Sequence, residues 1–282
     1  MMTTIGIDAG GTLTKVAYQD DAGALQVQHY PSTQLARVAA FINEHPEIET
    51  IGMTGGRAEQ LNALLDDQRQ LYFLVEFEAT LRGVNEQLQQ QNSNLARCII
   101  TNIGSGTSIH YKNGDAYQRV SGTGIGGGTL VGLSALMTGE YDYHTIAEHA
   151  KTGNRKKVDL MVADIFEGME VPAPLDPDLT ASNFGKVGLK SPRDYEKADL
   201  LATTMGLVGE VVSTLSIQLA EQYQVEHIVY IGTTLDHNDK LREVIASYTK
   251  LKKKTAVFLG DEGFSGAIGA LLYAKECATN SL

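Results

Sequence analysis

The chain has 282 residues, of which 34 are acidic and 23 basic, and its formal charge of −11 repels polyanions, so neither nucleic acid nor an anionic membrane surface is an expected partner. Hydrophobic residues make up 43%, enough for an α/β core and too many for a disordered chain. Two cysteines, Cys98 and Cys277, are too few to staple a fold of this length and show no zinc spacing, so both read as reduced, buried apolar residues.

Met1-Met2-Thr3-Thr4 runs straight into a strand without a basic flank or an apolar leader, and no stretch approaches the roughly 20 apolar residues that cross a bilayer, so a cytoplasmic location is expected. Ile5 to Asp8 reads as a buried strand. Thr14 to Tyr18 and Leu25 to Tyr30 continue as strands around a turn at Asp20 to Gly23, which makes the start antiparallel. A helix from Pro31-Ser32 through Phe41, a strand from Glu49 to Thr54, a helix from Arg57 to Leu65 and a short apolar strand from Leu71 to Val75 follow. Thr80 to Gln91 has helical composition, and a lobe boundary is expected near Asn92 to Ala96, dividing the chain into residues 1–96 and 97–282.

A second group of strands then begins at Cys98 to Asn102, Thr107 to Tyr111 and Ala116 to Val120, with Asn113-Gly114 as a hairpin turn. Strand, glycine turn, strand, turn, strand thus occurs at 5–30 and again at 98–120, which predicts two lobes on one plan. Helices are expected at Gly126 to Met137, Ala198 to Tyr223, Asp239 to Lys250 and Gly263 to Ala274. Strands are expected at His227 to Gly232 and Thr255 to Leu259, and Val171 to Pro192 is a Pro/Asp/Gly-rich excursion. The basic clusters Arg155-Lys156-Lys157 and Lys252-Lys253-Lys254 read as solvated surface.

Chemistry concentrates in three glycine-rich turns. In Asp8-Ala9-Gly10-Gly11-Thr12-Leu13-Thr14-Lys15 a strand delivers a carboxylate to a turn whose glycines let backbone amides approach phosphate oxygens. Thr12 adds a hydroxyl and Lys15 a positive charge. Asp8 is the candidate holder of a magnesium ion through water, since that hard cation takes oxygen ligands and keeps part of its hydration. An ordinary hairpin with a solvated aspartate satisfies the same residues. Asn102-Ile103-Gly104-Ser105-Gly106-Thr107-Ser108 repeats the logic in the second lobe. Ser121 to Gly128 leads into a helix whose free amides and positive dipole end favour nucleotide phosphates.

Phosphoryl transfer to an alcohol needs a base for the hydroxyl proton, and Glu76, expected at the end of the strand Leu71 to Val75 with Phe77 packed beneath it, is the candidate; from the residues alone it reads more often as an acid that opens a helix. Arg119 offers bidentate hydrogen bonds to a substrate carboxylate, or is a plain exposed strand charge.

Taken in order, Gly6 to Lys15, Met53 to Gly56, Val75 to Ala79, Asn102 to Tyr111, Arg119 to Gly128, Leu179 to Gly185, Val208 to Val212, Val229 to Gly232 and Gly263 to Ala270 resemble the type II pantothenate kinases, of the actin, sugar kinase and heat-shock ATPase superfamily. The resemblance implies a two-lobed actin-like ATPase (ribonuclease H-like) α/β fold with duplicated mixed sheets flanked by helices. It implies ATP- and Mg²⁺-dependent phosphorylation of the primary hydroxyl of pantothenate, and a homodimer in which Ala198 to Tyr223 is a candidate interface helix or an intramolecular core helix.

By the same resemblance Glu76 matches the base, and Ser108 and Arg119 match positions that hold pantothenate. Asp8, Ala9, Gly10, Gly11, Thr12, Leu13, Thr14, Lys15, Ser105, Gly127, Gly128, Thr129, Leu130, Val131, Tyr143 and Thr233 match nucleotide contacts. Residues 1–96 would then form the phosphate lobe carrying the base, and 97–282 the lobe with nucleotide, substrate and dimerisation elements. A sugar or amino-sugar kinase of the same superfamily, which would usually carry Asp in place of Glu76, and a non-catalytic actin-like switch are the alternatives.

Overall fold

The computed structural model describes residues 3–65, 69–91, 93, 95–114, 116–189, 195–260 and 263–280; Asn92 and Asn94 of the expected lobe boundary and positions 190–192 of the expected excursion lie outside them. Strand β1 (Thr4–Ala9) pairs antiparallel with β2 (Leu13–Gln19), and β2 with β3 (Leu25–Pro31). Helix α1 (Leu35–Asn43) leads to β4 (Thr50–Thr54), helix α2 (Ala58–Asn62) and β5 (Gln70–Phe73), and the resulting five-stranded sheet has the order β3-β2-β1-β4-β5. Helix α3 (Glu76–Gln90) follows.

The second sheet starts with the antiparallel strands β6 (Arg97–Ile103), β7 (Thr107–Asn113) and β8 (Ala116–Thr123), the last two joined by a turn in which Gly114 takes φ +61° as an Asn-Gly hairpin requires. Then come α4 (Gly127–Thr138), α5 (Tyr143–Thr152), β9 (Leu160–Met161), the short α6 (Val162–Ile165), β10 (Thr180–Ser182) and the long α7 (Lys197–Gln222). Strand β11 (His227–Ile231), helix α8 (Asp239–Leu251), β12 (Thr255–Phe258) and helix α9 (Ser265–Asn280) complete the chain. Both β11 pairings, to β6 and to β12, are parallel, so the order β12-β11-β6-β7-β8 reproduces the plan of the first sheet. The duplication expected from the glycine turns is therefore present in the strand pairing.

Strands β1 and β4 are buried on both faces, and each face has its own cause. Ile5, Ile7, Ile51 and Met53 pack with Val38 and Ile42 of α1. On the opposite face Gly6 and Gly52 admit the backbone of α9: a Cβ at either would come within 2.1 Å of the carbonyl oxygen of Ala267 or Ala270. The second sheet buries Ile99, Ile103 and Ile109 with α4, α5 and α7, and on its other face Cys98, Ile100 and Val229 with Leu81, Val84 and Leu88 of α3. Helices α3 and α9 pack on each other between the sheets. Each crosses the boundary drawn at 96/97, since α3 covers the second sheet and α9 covers the first.

Several local expectations differ from the structure. Strand β5 stops at Phe73, and Glu76 is the first residue of α3, the helix-opening alternative, while Phe77 is exposed rather than packed beneath it. Arg155 is drawn out of the basic cluster into the interior: it donates to Asp159 at 2.7 Å, to Thr180 at 2.9 Å and to Glu210 of α7. Glu210 also accepts from Thr180 and Asn183, so the excursion is pinned to α7 by a shared carboxylate. Contrary to the expectation that no stretch could, helix α7 is long and apolar enough to cross a membrane, yet 72% of its most apolar window is buried inside this chain, which makes it a core helix here. Cys98 is buried, and burial pushes its thiol up to about 11; Cys277 is half-buried rather than buried.

Candidate active site

The three glycine turns converge on one cavity of about 1050 Å³ between the sheets. The first two meet directly: Thr12 Oγ1 and Ser105 Oγ are 2.9 Å apart across 93 residues of sequence. In the first turn the Gly10 amide donates to the Leu13 carbonyl, while the amides of Gly11 and Thr12 make no hydrogen bond among the described residues. In the second the amides of Ser105 and Gly106 are likewise unused. All four residues line the cavity, where unused amides can receive an anion.

The third turn behaves differently from expectation. The amides of Gly127 and Gly128, expected to be free for phosphate, donate to the carbonyls of Gly104 and Ser105 at 2.8 and 2.9 Å. Two amides of the α4 N-terminus thus hold the second turn in place, and Thr234, whose hydroxyl donates to the Gly104 carbonyl at 2.9 Å, holds it from β11's side. A Cβ at Gly126 would lie 2.8 Å from the Gly106 backbone, so glycine at this position lets two turns stack.

Asp8 and Glu76 supply the acids. Asp8 sits near the end of β1 with its Oδ1 buried and without a hydrogen-bond partner among the described residues, and burial holds its carboxyl above the usual range against the opposing charge of Lys15. Lys15 Nζ lies 3.8 Å from Asp8 and donates to the Gly263 carbonyl at 2.7 Å, which ties β2 to the entrance of α9. Gly266, the second residue of α9, must be small: a Cβ there would fall 2.7 Å from Asp8 Oδ2. Glu76 is exposed to the cavity, and partial desolvation within the cleft raises its pKa, helped by the charge of Asp8 and opposed by Lys15 and Arg119. An acid that opens a helix is favoured by the helix dipole, so α3 fixes the position of Glu76 as well as its direction.

A β-bulge places Arg119. Ile109 pairs with Ser121 but His110 pairs with Arg119, so Val120 is the extra residue, and Arg119 turns to the face shared by Ser108 and Gly122. Its guanidinium lies over Gly122, 3.0 Å from where a Cβ would stand. Ser108 and Arg119 therefore line the same wall of the cavity.

At the far end the cavity is lined by Val131, Gly132, Tyr143, His144, Thr233, Thr234 and Asp236. The Tyr143 hydroxyl donates to the Thr234 carbonyl at 2.7 Å and accepts from Asn238, with its pKa pushed up to about 12 by burial. With its hydroxyl engaged by the protein, Tyr143 offers a ring face rather than a hydrogen bond.

Of the residues named from sequence, Asp8, Gly10, Gly11, Thr12, Leu13, Lys15, Glu76, Ser105, Ser108, Arg119, Gly127, Gly128, Val131, Tyr143 and Thr233 line this cavity. Ala9, Thr14 and Leu130 do not: all three side chains are fully buried in the lobe cores, because strand alternation and helix periodicity turn them away from the cleft. Thr129 is also absent from the lining, its hydroxyl donating to the Gly124 carbonyl. Sequence reasoning missed His29, Gly132, His144, Thr234, Asp236 and Phe264. His29 had a signal, since the hairpin register that pairs Lys15 with His29 sets them side by side; Gly132 and His144 lie on α4 and α5, and Thr234, Asp236 and Phe264 come from the short connections after β11 and before α9, all brought to the cleft by tertiary packing. Among the described residues no group of three or more His, Cys, Asp or Glu side chains is placed to hold a metal.

Comparison with known proteins bears on the chain as a whole. A profile of the Fumble family matches residues 58–273. The chain is 47% identical to a type II pantothenate kinase of Bacillus cereus over 274 residues, covering 97% of this chain and 98% of that one. It is 38% identical over 267 residues to a type II pantothenate kinase of Staphylococcus epidermidis, covering 95% and 98%. Among solved structures it is similar to component A of the (R)-2-hydroxyglutaryl-CoA dehydratase of Acidaminococcus fermentans, with a TM-score of 0.68 at 17% identity over 99% of this chain and 100% of that one. It is similar as well to a ROK family glucokinase of Streptomyces griseus, solved with glucose and AMPPNP, with a TM-score of 0.61 at 13% identity over 97% and 99%. These two structural likenesses establish the actin-like, sugar-kinase type of fold.

Proposed function

The chain belongs to the Fumble family, among the type II pantothenate kinases, and from that premise we propose that it transfers the γ-phosphoryl group of ATP to the primary hydroxyl of pantothenate, giving 4'-phosphopantothenate for coenzyme A biosynthesis. The observation that carries the reading is that a single cavity gathers a base of raised pKa, a buried acid with an orphaned oxygen, a lysine, two turns of unused amides and an arginine.

In this reading the amides of Gly11, Thr12, Ser105 and Gly106 and the ammonium of Lys15 grip the β- and γ-phosphates, while the ring of Tyr143 and the side chains of Val131 and Thr233 border the adenosine. The orphaned Oδ1 of Asp8 fits the water-mediated holding of Mg²⁺, which supplies charge neutralisation at the phosphates when bound. Arg119 pairs with the pantothenate carboxylate and Ser108 with a second polar group of the same substrate. Glu76 accepts the proton of the attacking hydroxyl as the new O–P bond forms and the bond from the γ-phosphorus to the bridging oxygen breaks, releasing ADP.

The fold alone would also accommodate a sugar kinase, but the acid at the base position is Glu76, and the pantothenate kinase relatives match nearly the full chain. The homodimer implied by the resemblance belongs to the same proposal. Because α7 is mostly buried within its own chain, an interface is better served by exposed apolar side chains such as Leu136, 85% exposed, and Tyr141, 76% exposed. We read the protein as a soluble enzyme of the cytoplasm, with α7 in its core. A coupled ADP-release assay with pantothenate, glucose, N-acetylglucosamine and no acceptor tests the activity: release dependent on pantothenate is expected, and release dependent on a sugar, or on no acceptor at all, overturns it.

A further inference from the structure

One buried imidazole beside the cavity has no place in the mechanism above. His110 is 5% exposed, its Nε2 lies 3.2 Å from Ser108 Oγ, and its Nδ1 is buried with no hydrogen-bond partner among the described residues. Ser108 and His110 are two residues apart on β7 and point to one face, and the bulge at Val120 sets Arg119 opposite His110 on that face. Ser108, His110 and Arg119 thus form a polar row along the wall where the acceptor substrate is proposed to lie.

The tautomer follows from the orphaned nitrogen. If Nδ1 carried the proton, a buried N–H would be left without an acceptor, which folded proteins very rarely tolerate; an unpaired lone pair costs less. Nε2 therefore holds the proton and donates it to Ser108 Oγ. Burial, reinforced by the charge of Arg119, lowers the pKa of His110 to about 4, which keeps the ring neutral near pH 7. A hydroxyl has one proton to give, and with His110 donating to its oxygen, that of Ser108 is left for the cavity.

We infer that His110 is a positioning residue that occupies one lone pair of Ser108 and turns its O–H toward the cavity, so that this wall favours a substrate presenting an acceptor oxygen, such as an amide carbonyl, at a fixed offset from the carboxylate held by Arg119. The inference rests on the substrate reading above, and it deepens it by giving Ser108 a polarity. An amine or other pure donor at that point of the ligand would find only the remaining lone pair of Ser108 and leave its O–H without a ligand acceptor, so it is disfavoured.

Kinetics and NMR test it separately. His110→Leu is expected to raise the KM for pantothenate about tenfold while the KM for ATP and kcat stay within about twofold, and His110→Gln, whose amide N–H can reach the Nε2 position, is expected to restore KM to within about threefold of wild type. In a Ser108→Ala background His110→Leu should add nothing. A full effect of His110→Leu in that background, an unchanged KM in the single variant, or no rescue by glutamine overturns the inference. Long-range ¹H–¹⁵N correlation spectra, with His110 assigned by its loss in His110→Gln, should show a neutral Nε2-protonated ring that exchanges its proton faster once Ser108 is alanine; an Nδ1-protonated ring or an imidazolium at neutral pH overturns it. The NMR result needs no substrate. Failure of the wild-type enzyme to use pantothenate would sink the function while leaving the His110–Ser108 polarity to be decided by the spectra.

Discussion

Thr12 and Ser105 touch hydroxyl to hydroxyl at 2.9 Å, and each stands in a glycine turn of a different sheet. Their bond is the point where the duplicated halves of the fold meet over the cavity, and a phosphate oxygen is well suited to replace it, since each hydroxyl then donates to an anion instead of to a neutral partner. Removing one hydroxyl should therefore weaken nucleotide binding more than acceptor binding. Ser105→Ala is expected to raise the KM for ATP by about five- to tenfold, with the KM for pantothenate within about twofold. Steady-state kinetics with each substrate varied in turn will show this, and equal shifts for both substrates would assign Ser105 to general packing.

Glu76 gives a prediction in pH. Its carboxyl is held above the usual glutamate range, first by desolvation in the cleft and then by the charge of Asp8. A base works only when deprotonated, so kcat/KM should fall on the acid side with an apparent pKa above that of an ordinary glutamate, and the enzyme should gain activity as pH rises through it. Glu76→Gln should bind ATP normally, lose turnover by a factor of about 10² or more, and lose the acid limb of the profile. A glutamine variant that keeps the limb would move the titration to another group.

Much of this site was legible because its parts are local. The strand–turn–strand pattern at 5–30 and 98–120 reports a duplicated sheet through glycine spacing alone, and Asp8, Lys15, Ser108 and Arg119 sit in the pieces that carry it. What escaped was set by distant contacts. The amides of Gly127 and Gly128 looked free because nothing near them in sequence accepts a hydrogen bond; the carbonyls that take them belong to Gly104 and Ser105, more than twenty positions away. Arg155 looked solvated beside two lysines, yet Asp159, Thr180 and Glu210 draw it inward. Glu76 looked like the end of a strand because Leu71 to Val75 is apolar, while the helix it opens is decided by the packing of α3 on α9.

That packing is testable through Gly269. A Cβ at this position would lie 1.7 Å from the carbonyl oxygen of Ala79, so α9 and α3 are in backbone contact there, three residues from where α3 presents Glu76. Gly269→Ala must push the helices apart, at a cost of about 1–3 kcal/mol. Urea unfolding should show a lower midpoint, and kcat should drop more than either KM because the base moves while the phosphate turns do not. Unchanged stability would mean that the two helices separate freely.

Asp8 sets function against stability. Its carboxyl is almost wholly buried, and burial raises its folded pKa above the unfolded value of about 3.9, the charge of Lys15 offsetting only part of the effect. A group shifted in this direction favours the folded state most when protonated: that contribution is full below the unfolded pKa and is lost as pH rises through the folded pKa, so at neutral pH the charged form is a standing cost. Asp8→Asn removes the charge and keeps the shape. The variant is expected to melt about 2 °C or more above wild type at pH 7, with the gap closing as pH falls toward 4. It should also lose at least about 10² in turnover and the additional thermal stabilisation that Mg²⁺ gives in the presence of ATP. Calorimetry of both proteins across this pH range, with and without Mg²⁺ and ATP, decides the matter. A less stable Asp8→Asn at pH 7 would show that the Lys15 pairing outweighs desolvation, and an undiminished Mg²⁺ effect would place the ion on other oxygens.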